Sequence, residues 1–166
     1  MVSRRTPNGD WPNIADSIER DLWAGGHLFW GLVIFRCTYG DDESWKQALL
    51  KLNQRLQERL ARHNGLDMGT EERFKLPVIE DTALEEASTH AVRERFEQWC
   101  ATAEQTEQGT PEEIASRRTG APSYGEGSSR YRYYLAIDRE SLDSITTKPD
   151  PGDWKGYGWV KIIDRH

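Results

Sequence analysis

Arg36, Thr38, Tyr39, Asp41 and Asp42 crowd into seven consecutive positions where an apolar run gives way to Gly40. An arginine at such a place can clamp an anion or a carboxylate at the mouth of a cavity, because its planar fork meets two oxygens at once. Asp41 and Asp42, with Asp138 further along, are the candidate acids and bases for proton transfer. Each residue also has a plainer reading. Arg36 can close an ion pair with Asp81, Asp138 or Asp164 at neighbouring strand ends, and Asp41 or Asp42 can cap the helix that follows. The plainer readings are favoured here.

A second cluster, Arg130, Tyr131, Arg132, Tyr133 and Tyr134, alternates cations with rings. On a strand, Tyr131 and Tyr133 would share one face and Arg130, Arg132 and Tyr134 the other. Arg132 and Tyr134 beside Arg36 could hold a small aromatic or anionic ligand, or stack the bases of a single-stranded RNA. The net charge of −6 weighs against nucleic acid and against an anionic membrane surface.

Established motifs are missing. No phosphate-binding glycine loop, His-Glu-x-x-His, Cys-x-x-Cys or Gly-x-Ser-x-Gly occurs, and Gly25-Gly26 precedes a strand rather than a helix. His27, His63, His90 and His166 have no ligand spacing, so neither metal nor cofactor is expected. Cys37 and Cys100 fall in apolar patterns and read as buried thiols behaving as small hydrophobes. No secretory signal or membrane-spanning run is evident, so a soluble cytoplasmic protein is expected.

The elements that would position these residues follow from periodicity. Leu28–Arg36 is apolar or Gly almost throughout, with Phe29, Val33, Phe35 and Cys37 on one side and Trp30, Leu32 and Ile34 on the other. A strand apolar on both faces lies at the centre of a covered sheet. Trp45, Leu49, Leu52, Leu56 and Leu60 form one face of a long helix that starts at Asp41 or Asp42 and stops near Asn64-Gly65. A second strand over 74–80 contains Pro77, so it lies at a sheet edge or contains a bulge. A helix over 88–103 carries Val92, Phe96, Trp99, Cys100 and Ala103 on one face. Strands over 130–138 and 157–164 flank a short helix over 139–145, and a turn-rich loop spans 148–156. Residues 1–27 form an arm, with Trp11 and Trp23, that packs on a single domain over 28–166, and 104–129 is a long flexible loop with at most one helical turn around Pro111 to Ser116. Strand, helix, strand, helix, strand, short helix, strand suggests a ferredoxin-like α+β fold: a four-stranded antiparallel sheet, order 4-1-3-2, with two main helices on one face and the other face open.

Trp30-Gly-Leu-Val-Ile-Phe-Arg-Cys-Thr-Tyr39, followed by Asp41-Asp42 and Trp45, resembles a strand of small fungal proteins of uncharacterised function. The likeness continues more loosely through 76–81, 130–134 and 159–164. It implies a fungal source and one α+β domain, and brings no activity or site residue with it.

Two classes of function remain. The favoured one is a binding module whose open sheet face holds a second copy or another protein. The other is a cofactor-free enzyme, isomerase- or cyclase-like, with a pocket lined by Trp30, Arg36, Tyr134 and Trp159 and reached by Thr38, Tyr39 and Arg132. A single-stranded RNA binder is a third, weaker reading. A buried, perturbed carboxylate in a deep pocket would favour the enzyme, and a flat apolar face the binding module.

Overall fold

The computed structural model describes residues 14–62, 70–118, 128–147 and 158–166, with side chains from residue 18 onward. Trp11, His63, the Asn64-Gly65 stop and the 148–156 loop lie outside the described residues.

Helix α1 (Ile14–Gly25) leads into β1 (Val33–Arg36), α2 (Asp42–Arg62) and β2 (Val78–Glu80). A single 3-10 turn (Thr82–Leu84) precedes α3 (Thr89–Gln108) and α4 (Pro111–Arg117). A second 3-10 turn (Ser129–Tyr131) precedes β3 (Tyr133–Ile137), α5 (Arg139–Thr147) and β4 (Lys161–Asp164). The sheet order is β2-β1-β3-β4; β1 is parallel to both β2 and β3, and only β3 and β4 are antiparallel.

The expected ferredoxin-like antiparallel sheet is therefore wrong, though β1 is central and β2 an edge as anticipated. The chain remains α+β, with a mixed sheet. The reason lies in β1 itself, which has no exposed face. Val33, Phe35 and Cys37 pack under Val92, Phe96 and Cys100 of α3. Ile34 packs under Trp45 and Ala48 of α2 and Leu142 and Ile145 of α5. Right-handed crossovers produce this arrangement. The chain steps from β1 to β2 in one direction and from β2 past β1 to β3 in the other, so α2 and α3 fall on opposite faces. Among the described residues, β1 is therefore buried on both sides.

Several local signals hold. Gly26, at φ +73°, ends α1: its amide bonds the Trp23 carbonyl at 3.3 Å and that of His27 bonds Leu22 at 2.9 Å, the paired bonds of a Schellman cap. In place of a loop over 104–129, α3 continues to Gln108 and α4 occupies 111–117; residues 119–127 lie outside the described residues. Thr110 and Glu113 close a reciprocal capping box around Pro111, a start signal legible in Thr-Pro-Glu-Glu.

The third strand begins three residues later than its pattern suggests. Ser128 caps the 3-10 turn over Ser129–Tyr131, and that turn rotates the chain. Tyr131 and Tyr134 consequently share the α3-side core, where Phe96 stacks on Trp99 and Trp99 on Tyr131.

The same turn buries Arg130 completely. Its guanidinium meets the Glu107 carboxylate at 2.6 and 2.7 Å and the Lys75 carbonyl at 2.8 Å, beside the Trp99 ring. The Tyr131 hydroxyl donates to Glu107 at 2.9 Å, and the Gln108 amide donates to Tyr131 at 2.9 Å. Gln108 Oε1 in turn accepts the Leu28 amide at 2.6 Å. The end of α3, the entry to β3 and the segment before β1 and β2 are thus joined by one polar network.

Burial pushes the Glu107 carboxyl up, but the Arg130 and Tyr131 bonds pull it further down, below the ordinary glutamate range. A depressed carboxyl contributes stability that is present above the ordinary range and lost as pH falls through the depressed value. The chain should therefore lose stability on acidification. Glu107→Gln should be about 3 kcal/mol less stable at neutral pH, with a gap that narrows in acid. Urea melts at a series of pH values check this; parallel pH dependences for the two chains would refute it.

Candidate functional site

Three strands run parallel to one edge, and each meets a turn there. Arg36, at the end of β1, is 4% exposed. Its Nε donates to the Thr38 carbonyl at 2.9 Å, fixing the buried turn that follows. One terminal nitrogen meets Asp42 at 2.5 Å and the other lies 3.6 Å from Glu80. The guanidinium also sits 4.5 Å from the Tyr39 ring centre and 5.0 Å from that of Trp45. Glu80 accepts the Trp45 indole N–H at 2.5 Å. The ion-pair reading of Arg36 holds, but the partners are Asp42 and Glu80, not Asp81, Asp138 or Asp164. The guanidinium's carboxylate contacts come from the chain itself, which opposes the anion-clamp reading.

The carboxylates are similarly engaged. Asp41 accepts the Ser44 amide at 3.0 Å as the cap of α2, and Arg139 approaches it at 3.8 Å. The Ser44 bonds hold its carboxyl below the usual range. Asp138 caps α5 through the Ser141 amide at 3.0 Å and hydroxyl at 2.8 Å, and pairs with Lys161. Burial raises the Asp138 carboxyl, and the bonds from Lys161 and Ser141 outweigh it, so the group ends below the usual range. Carboxyls held low and occupied as caps are poor proton donors near neutrality. Burial raises the Tyr39 phenol, with the Asp81 amide and Arg36 pulling the other way. Burial also pushes the Cys37 thiol up to about 11, so it is not a ready nucleophile.

The four residues expected to line one pocket do not converge. Trp30 precedes β1 and Arg36 ends it, and the Trp30 indole N–H donates to the Thr70 carbonyl at 2.7 Å. Tyr134 is fully buried on the α3 side, against Phe35 and Phe96. Trp159 is 38% exposed near α5, its amide donating to Ser144 at 2.7 Å. Arg132 pairs with Asp164 at 3.2 Å across the β3–β4 ladder. With Tyr131 and Tyr134 both in the core, no row of rings is presented for stacking bases.

A concavity lies elsewhere. Among the described residues an open groove of about 500 Å³ runs between α2 and the sheet, on the α2 side near the start of β3. Leu52 and Leu56 of α2 form one wall, and the sheet contributes Leu32, Leu135 and Ile162. Trp30, Phe74 and Leu76 close an end, with the Trp30 and Phe74 rings packed edge-on at 4.7 Å. Tyr133 and Ser129 supply the polar atoms. Gly31 also lines it, at φ +104°, where a Cβ would strike the Lys75 carbonyl.

Of the residues singled out from sequence, Trp30 and Tyr133 belong to this groove. Leu52 and Leu56 were visible as helix stripe and Tyr133 as strand, but nothing in their spacing separates a groove wall from core. Among the described residues, no cluster of three His, Cys, Asp or Glu side chains is placed to hold a metal, and no helix is long and apolar enough to cross a membrane.

Comparison with protein-family models, curated proteins and solved structures returns no match. Function therefore rests on the site alone.

The Arg36 cluster makes an asymmetric prediction, because only the cation is buried: Asp42 and Glu80 side chains are 75% and 49% exposed. Arg36→Met leaves two carboxylates in water and should cost about 1 kcal/mol. The double change Asp42→Ala, Glu80→Ala strands a buried guanidinium and should cost about 3 kcal/mol. Thermal melts ordered the other way would contradict this account.

Proposed function

We propose that the chain is a binding module that takes a neutral, apolar small molecule in the groove between α2 and the sheet, with an aromatic or extended hydrocarbon body. The observation that carries this reading is the lining. Among the described residues it contains no carboxylate, amine, guanidinium, imidazole or thiol, while three rings and six aliphatic side chains face the space. Its volume falls within the range of small-molecule sites. A charged ligand group would be desolvated there without a partner, which selects against ions. The Ser129 and Tyr133 hydroxyls can orient one polar atom of a ligand.

The same lining argues against the enzyme reading. Acid–base chemistry needs a titratable group within hydrogen-bond reach of the reacting atom; Asp41, Asp42 and Asp138 sit at the far end of the parallel strands, occupied as caps and ion-pair partners, and among the described lining residues the Tyr133 phenol stands without a second acid or base beside it. Two reduced, buried thiols, Cys37 and Cys100, support the cytoplasm as its place of work.

Fluorescence titration with N-phenyl-1-naphthylamine tests the proposal, since this probe is neutral and aromatic. Saturable one-to-one binding is expected. Leu56→Trp, which fills the groove without adding charge, should weaken binding about tenfold or more, a loss of about 1.4 kcal/mol. Leu50→Trp, on the exposed side of the same helix, should leave it unchanged. Absence of saturable binding, or equal effects of the two variants, would overturn the reading.

A further inference from the structure

The outer edge of β4 has an unusual composition. β4 ends the sheet, and among the described residues no strand pairs with its outer side. The Arg165 amide donates to the Arg132 carbonyl at 2.9 Å. With Leu135 opposite Ile162, the alternation of antiparallel bonds turns the amide and carbonyl of Val160, Ile162 and Asp164 outward. Exposed edges are ordinarily guarded by charged side chains. Here the flanking charges are engaged within the chain: Lys161 pairs with Asp138 and Asp164 with Arg132. Ile162, 64% exposed, stands at the middle of the edge.

We propose that this edge pairs with β4 of a second copy, antiparallel about a two-fold axis at Ile162, to form a continuous eight-stranded sheet. A two-fold pairing sets each residue against one at a constant sum of positions, so the register can be read from charge. Centring on Lys161 or on Asp164 opposes that residue to its own copy. Centring on Ile163 sets Lys161 against Arg165. Centring on Val160 leaves Ile162 opposite Gly158 and pairs a shorter stretch. The register centred on Ile162 opposes no like charges. It sets Ile162 on Ile162, Lys161 beside Ile163, and Trp159 beside Arg165, a ring and a guanidinium that attract. The outward amide and carbonyl of Ile162 then exchange both hydrogen bonds with their counterparts. Ile162 also lines the groove, so Leu56→Trp, which fills the groove away from the edge, separates pairing from occupancy.

Sedimentation velocity and native mass spectrometry across a concentration series test the pairing. The wild-type chain should pass from 19.1 kDa to twice that mass as concentration rises. Ile162→Lys and Ile162→Glu should each stay monomeric with unchanged melting temperatures, because the site is exposed. Mixing the two variants should restore a dimer that contains one of each, and Leu56→Trp should dimerise like the wild type. A wild-type chain that remains monomeric, a dimer that survives Ile162→Lys, or a mixture that fails to associate would each overturn the proposal.

Discussion

A guanidinium with no access to water constrains this fold more than any other single group. Arg130 is reached only through contacts that come from separate parts of the chain: Glu107 at the end of α3, the Lys75 carbonyl ahead of β2, and the Trp99 ring. An ion of this kind is costly to bury unless every donor finds an acceptor. Those partners can meet it only when α3 lies along one face of the sheet and β3 enters beside β1. Tyr131 and Gln108 extend the demand to the segment before β1, whose Leu28 amide the Gln108 side chain accepts. Apolar packing over β1 supplies the bulk of the driving force, and this network selects one arrangement of the elements that packing brings together.

The two ends of the parallel strands differ in chemistry as a result. At the end where β1 stops, charge is internally balanced: Arg36 with Asp42 and Glu80, Arg139 with Asp41, and Lys161 with Asp138. Asp41, Asp81 and Asp138 each cap the turn or helix that follows a strand. The same carboxylates serve to start the helices. At the other end the groove is almost wholly apolar. Its lining comes from α2, the approach to β1, the approach to β2, β3 and β4, so no single segment carries a recognisable motif.

Much of the architecture is legible in residue spacing. The amphipathic stripes of α2 and α3, the central place of β1 and the edge position of β2 all follow from that spacing and from Pro77. The two-sided apolarity of β1 carries more information than an antiparallel fold allows for. A strand buried on both faces calls for helices on both faces, which parallel crossovers provide, and the expected antiparallel sheet leaves one face bare. The Tyr131–Tyr134 alternation fails for a local reason: a 3-10 turn capped by Ser128 replaces the first residues of the expected strand. The Thr110-Pro-Glu-Glu start of α4 is present in the sequence and is obscured by the polar composition around it.

The sequence alone reveals the stripes of α2 and α3, the central place of β1 and the caps that Asp41 and Asp138 supply. Those properties depend on neighbours within a few turns or residues, where spacing and geometry are rigidly linked. Only the tertiary structure decided that β2 lies beside β1 rather than β3, that Glu107 and Arg130 meet, and that Trp30, Leu56, Phe74 and Ile162 enclose one space while Trp30 and Arg36 do not. Such contacts join residues far apart in the chain, and their formation depends on the hand and direction of crossovers that composition and periodicity leave open.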